Sequence, residues 1–184
     1  MKNCFVIRIL LLENNKPMKQ TLKYIYERFY EEVKYADTKH SISLTLASAL
    51  AVFSATYLSD STPVIVIISA SSIIFSLISV LYSFCALYVK EYKTEKTKKI
   101  QRCDLLSYKT ISKFGEEEFL SVLVKEYPFV KNYKPDNFDC DLAKQVIRSA
   151  KAIKHKFSLF NYSISFLLIS LFCEAGMIVL KGVI

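Results

Sequence analysis

Apolar residues in this chain gather in three blocks, residues 41 to 58, 64 to 89 and 157 to 180, separated by strongly charged stretches. Neither Ser41–Leu58 nor Val64–Val89 contains a single Asp, Glu, Lys, Arg or His. At about 1.5 Å of rise per helical residue, each block is close to or above the length needed to cross roughly 30 Å of hydrocarbon. The pattern predicts a two-helix transmembrane hairpin over 41–89, with spans 41–58 and 64–89, and a third C-terminal transmembrane helix over 157–180. A soluble bundle with all-apolar core helices is the competing reading, and the Ser- and Ala-rich first block is compatible with it. It fails because a helix buried on every side needs a large protein around it, and the remaining chain is mostly charged.

The charged stretches carry helical patterning of their own. In residues 18 to 39, Leu22, Ile25, Tyr26, Phe29, Tyr30 and Val33 recur at spacings of three and four, which predicts an amphipathic helix. With no Gly or Pro between them, this helix is expected to run directly into the first span. Asp37 and Lys39 then fall at the membrane boundary, where Lys39 snorkels to water and Asp37 pairs with it or with a neighbouring subunit. After the second span a polar helix is expected to continue past Lys90 to about Tyr108. Gly115, Tyr127-Pro128 and Lys134-Pro135 then break the pattern. Between those breaks EEEFLSVLVKEY reads as a short helix with Phe119, Leu120, Leu123 and Val124 facing inward. From about Cys140 a last helix continues into the third span. The expected organisation is an all-α membrane protein: an N-terminal extension (1–17), an amphipathic cytoplasmic helix (18–40), the hairpin (41–89), a basic helical cytoplasmic segment (90–156) and the third span (157–180).

Composition agrees. Of 184 residues 52% are hydrophobic, Trp is absent and Gly numbers only 3, a balance that suits lipid better than a soluble core. The opening MKNCFVIRILLL imitates a signal peptide, but Arg8 interrupts it and no small-x-small site precedes Asn14, Asn15 and Lys16, so neither cleavage nor export is expected. Cys4, Cys85, Cys103, Cys140 and Cys173 show no CxxC spacing and read as ordinary reduced residues.

Charge sets the orientation. Residues 1 to 40 hold eight Lys or Arg and residues 90 to 156 hold sixteen, whereas the turn Ser59–Pro63 holds none. The positive-inside rule then predicts a multi-pass membrane protein with the N-terminus and middle segment cytoplasmic and the turn and C-terminus outside. The clusters KEYKTEKTKK (90–99) and KQVIRSAKAIKHK (144–156) flank the membrane and favour anionic headgroups. Because the basic charge tracks those boundaries and no groove-reading motif is present, the net charge of +8 points to lipid and not to a nucleic acid polymer.

Small residues add a second pattern. Ser69, Ser72, Ser76, Ser79 and Ser83 recur at three, four, three, four on one face of the second span, and Ser43, Ala47, Ala51 and Ala55 recur at fours on the first. Small faces let helices in lipid approach closely and exchange weak hydrogen bonds. Two arrangements stay open: spans one and two pack on each other, or the serine stripe faces copies of itself in a homo-oligomer whose polar seam becomes a water or ion path. Glu174, the acid of the third block, either reaches headgroups or acts as a pairing or pore residue.

Chemistry of the catalytic kind finds no footing. His40 and His155 sit at boundaries and provide too few ligands for an ordinary metal site, and Glu116, Glu117 and Glu118 suit a solvated helix start. The sequence predicts a non-enzyme without cofactor.

Three stretches in order resemble the membrane effectors of the Pycsar anti-phage systems. Tyr35–Leu50, YADTKHSISLTLASAL, resembles the family's opening Asp-x-Lys before a small and apolar span. SYKTISKFGEEEFLSVLV, from Ser107, is similar to its short cytoplasmic motif, and LAKQVIRSAKAIKHKFSLFNYSISFLLISL, from Leu142, to its closing helix with a Lys before the last span. The likeness covers roughly residues 20 to 180; His40, where a small residue is expected, and the N-terminal extension depart from it. The resemblance implies an effector of abortive infection that answers a cyclic pyrimidine nucleotide by impairing the inner membrane. Charge and aromaticity make Tyr108, Lys109, Lys113 and Phe114 candidates for sensing that nucleotide. The alternative is a non-conducting membrane scaffold, or a two-helix transmembrane effector of another nucleotide-signalling defence system.

Overall fold

The computed structural model describes residues 17–60, 62–88, 105–126 and 135–183. Among them it is about 88% helical, without strands. The elements are α1 (Pro17–Ala55), α2 (Pro63–Leu87), α3 (Tyr108–Ile111), α4 (Glu116–Glu126) and α5 (Asn137–Val183). The N-terminal extension, residues 90–104 of the helix expected to reach about Tyr108 and the Tyr127-Pro128 break lie outside the described residues; residues 105–107, which are described, form a turn and not the end of that helix. Uninterrupted patterning, with Pro17 only at the first helical position of α1 and no Pro within α5, explains why α1 runs for 39 residues and α5 for 47.

The described residues form two compact units, one of residues 17–33, 105–126 and 135–154, the other of 34–60, 62–88 and 155–183. The first unit is built in the ordinary sense, apolar inside and charged outside. Met18, Leu22, Ile25 and Phe29 of α1 are fully buried, as are Phe119 and Leu123 of α4 and Val146, Ile147 and Ile153 of α5. Residues 18–33, 105–126 and 135–154, separate segments by sequence, thus contribute to one core. The α1 stripe differs from the sequence expectation: Met18 replaces Tyr30, which is 50% exposed and stacks on Tyr26. Tyr26 and Tyr30 each sit one residue, about 100°, round the helix from the buried Ile25 and Phe29. At the start of α5, Asp136 and Asp139 cap each other's backbone N–H groups at 2.9 and 3.0 Å, a reciprocal box that satisfies two orphan donors. Lys19 pairs with Asp136 at 2.7 Å.

The second unit is inside out. All five serines of the α2 stripe are buried, while on the same helix Ile67 is 68% and Leu81 63% exposed; on α5 Phe172 is 75% exposed. Polar contacts fix the directions. Ser43 and Ser54 of α1 meet Ser163 and Glu174 of α5, so these helices run parallel. Ser72 and Ser79 of α2 meet Ser170 and Ser163, so α2 runs against both. The buried positions of α5, Ser163, Leu167, Ser170, Glu174 and Met177, repeat at four, three, four, three, matching the rhythm of the α2 stripe. Such a spacing of 3.5 keeps a seam facing its partner. The fours-only run foreseen on α1 does not: each step of four turns about 40° past a full circle, and Ser43 and Ala47 are buried while Ala55 is exposed, the seam passing instead through Ser54.

Helices α2 and α5 are each long and apolar enough to cross a membrane. The apolar part of α1 falls short as a helix because α1 ends at Ala55. It continues as a tighter turn, with Tyr57 N–H donating to the Ser54 carbonyl at 3.0 Å and Leu58 N–H to that of Ala55 at 3.3 Å. At about 1.5 Å per residue to Ala55 and about 2 Å beyond, residues 41–58 reach roughly 28 Å.

Candidate functional site

Two charged belts close the ends of the second unit. At one end Asp37 of α1 pairs with Lys156 of α5. Beside them Lys39 lies 4.5 Å from the ring centre of Tyr35 and 5.3 Å from those of Phe157 and Phe160. Held over aromatic faces, the ammonium gains attraction without a carboxylate partner among the described residues. Asp37, for which the sequence leaves Lys39 or a neighbouring subunit open as partner, thus pairs within the chain with Lys156, while Lys39 lies over aromatic rings. His40 is wholly buried, its ring edge-on to Phe160 and its Nε2 2.9 Å from the Lys156 carbonyl. Burial pushes the imidazole pKa below its ordinary value, against the opposing pull of the Lys156 carbonyl and Asp37. The neutral ring then donates from Nε2; the sequence marks His40 as a boundary histidine and a departure from the family motif, with no sign of this contact.

At the opposite end Lys181 of α5 pairs with Asp60 of the α1–α2 turn at 3.2 Å and lies 4.7 Å from the Tyr57 ring centre. The Thr62 N–H donates to Asp60 at 3.0 Å, and this bond with the Lys181 pair holds the Asp60 carboxyl below its usual pKa. Lys156 and Lys181 stand 25 residues apart on α5, about 37 Å along a helix, a little more than the hydrocarbon thickness of a bilayer.

Hydroxyl groups run between the belts in two clusters. Near the Asp37 end, Ser163 is a hub: its Oγ lies 2.8 Å from Ser43, 2.9 Å from Ser79 and 2.8 Å from Ser83. Nearer the Lys181 end, the Ser54 hydroxyl donates to Glu174 Oε1, as does that of Ser72 at 2.9 Å. Ser170 lies 2.9 Å from Ser72 and 2.7 Å from Ser76. Leu167, 6% exposed, and fully buried Ala47 lie between the clusters in sequence on their helices. The α2 stripe therefore packs within the chain, chiefly on α5 and not on α1 alone. The signal missed in sequence is the matching α5 stripe, concealed because Leu167 and Met177 interrupt the run of small polar residues.

The residues proposed for nucleotide sensing lie in the first unit. Lys109 and Lys113 are exposed and Tyr108 half-buried, but Phe114 is 1% exposed and packs on Phe119 at 6.1 Å between ring centres. Its ring belongs to the core and offers no face to a base. A groove of about 400 Å³ opens along α1 beside Tyr24, Tyr26, Glu27, Arg28, Tyr30 and Glu31. Two glutamates against one arginine, itself 3.4 Å from Glu32, make it a poor cradle for an anion.

Residues 21–181 match the family model described as the Pycsar effector protein domain. No curated protein and no solved structure matches the chain.

Proposed function

From the premise that this chain belongs to the Pycsar effector family, and so is an anti-phage defence effector, we propose that it aborts infection by permeabilising the bacterial inner membrane when a cyclic pyrimidine nucleotide appears. The protein crosses the membrane three times, N-terminus inside and C-terminus outside, and works as a homo-oligomer without enzymatic activity. The first unit is the cytoplasmic sensor, with Tyr108, Lys109 and Lys113 contacting the nucleotide. The second unit is the effector.

One observation carries this reading: serines fill the interior of the second unit while Ile67, Leu81 and Phe172 face outward. In water this arrangement exposes large apolar side chains and buries hydroxyls, the reverse of what hydrophobic burial favours. In lipid the outer residues lose nothing, and small faces with weak hydrogen bonds hold the helices together. A seam of that kind is shut when helices touch and wet when they part, which is what a membrane-perturbing effector needs.

The direct test is dye influx into vesicles carrying the purified protein, with and without cyclic pyrimidine nucleotides. We expect influx only with nucleotide, and its loss in Ser76→Leu, whose isobutyl group wedges into a space holding a hydroxyl 2.7 Å from Ser170. No influx with any cyclic nucleotide, in protein that remains folded and inserted, favours the scaffold reading.

A further inference from the structure

Glu174 is the one acid between the two belts on α5, and none occurs on α2 or between Ser41 and Ser59 of the α1 segment. It is 3% exposed. Its Oε1 takes the hydroxyls of Ser54 and Ser72, yet its Oε2 is buried with no hydrogen-bond partner among the described residues. Burying an acid in lipid is costly, and close packing of small faces does not require one. A carboxyl oxygen left bare in such surroundings is an incomplete site, and what completes it must be positive or a donor. No basic side chain lies between Lys156 and Lys181 on α5, on α2, or between Ser41 and Asp60, so the chain does not supply that group from the seam.

We infer that Glu174, with the hydroxyl oxygens of Ser54, Ser72 and Ser170, binds a small monovalent cation within the membrane. Hard oxygen donors suit alkali cations, and a single carboxyl provides the charge for one positive charge, whereas divalent sites are built with more carboxylates or with substrate phosphates. Glu174 stands seven residues, about 10 Å along the helix, from Lys181. The site is therefore reached from the outer face, and the apolar step at Leu167 and Ala47 separates it from the inner hydroxyl cluster. In the open protein the same carboxyl selects for cations, so the ions that move are alkali ions and not chloride.

This inference rests on the reading of the second unit as membrane-spanning. Its test is the thermal stability of the purified full chain in lipid nanodiscs, in NaCl, KCl and LiCl against N-methylglucamine chloride at equal ionic strength. With an alkali cation at roughly ten times its Kd we expect the Tm of the wild-type protein to rise by about 3–6 °C. Ser165→Ala, at an exposed position, keeps the rise; Glu174→Asp keeps part of it; Glu174→Gln loses it. Equal Tm values of the wild type in all four salts, or an undiminished rise in Glu174→Gln, overturn the site. The stability readout requires neither nucleotide nor conduction, so absence of dye influx sinks the permeabilising function and leaves this result standing. Where the wild type conducts, Glu174→Gln is expected to move its reversal potential in a KCl gradient toward zero; an unchanged potential overturns the selectivity.

Discussion

Asp37 and Lys156 form an ion pair between α1 and α5 across 119 positions of sequence, at the level where three aromatic rings hold Lys39. The pair is partly shielded, with 38% and 15% of the two side chains exposed. Removing one member therefore leaves the other short of a partner in a half-shielded position. We expect Asp37→Asn and Lys156→Met each to destabilise the protein by about 1–2 kcal/mol, between the values of exposed and buried pairs. The exchanged double variant Asp37→Lys with Lys156→Asp should recover part of that loss. Equal stability of singles and wild type in nanodisc unfolding contradicts the role given to this belt.

Ser163 serves three other serines, so its loss should exceed that of any hydroxyl with one partner. At about 0.6 kcal/mol for each membrane hydrogen bond, Ser163→Ala is expected to cost about 2 kcal/mol. Ser165→Ala, whose hydroxyl donates to the Asn161 carbonyl on an exposed face, should be near neutral. Reversible unfolding of the two variants compares them directly.

His40 makes stability depend on pH. Its folded pKa is lowered by burial, so the unfolded chain takes up the proton first as pH falls. The contribution of the neutral ring is fully present above the ordinary histidine value of about 6.5 and is lost as pH falls from there toward the folded value. Protonation also sets a positive ring beside Lys156, with Asp37 to offset it. Tm measured from pH 8 to pH 5 should drop through this window, and His40→Gln should flatten the profile. A profile unchanged by His40→Gln removes the imidazole from the account.

In the first unit, Phe114→Ala and Lys113→Ala separate core from sensor. Phe114 is buried on Phe119, and its truncation should cost about 3–5 kcal/mol. Lys113 is exposed, and Lys113→Ala should leave helicity and Tm intact while weakening binding of the cyclic nucleotide about tenfold, the value of one charge-assisted bond. Titration calorimetry with unchanged affinity in both Lys109→Ala and Lys113→Ala would move the nucleotide elsewhere.

The long helices were legible in sequence because nothing in residues 17–55 or 137–183 stops a helix, and the α2 stripe because five serines repeat in an apolar background. Its partner was not, since a seam closed by Ser163, Leu167, Ser170, Glu174 and Met177 mixes four residue types and shows its rhythm only once the facing helix is known. Phe114 was misplaced for a related reason. Beside Lys109 and Lys113 an aromatic residue resembles a stacking platform, and only the three-dimensional contact with Phe119 reveals a core residue. Asp37 and Lys39 stand together at one end of the second unit, but partners more than a hundred residues away leave no local trace in the sequence.

The three-span arrangement is tested most directly by labelling single cysteines with a membrane-impermeant maleimide in whole cells, after the five natural cysteines are replaced by serine. Gly182→Cys, beyond the Lys181 belt, should react in intact cells, whereas Lys154→Cys, just before the Lys156 belt, should react only after the membrane is permeabilised. Reaction of position 154 in intact cells, or equal protection of both positions, would contradict it.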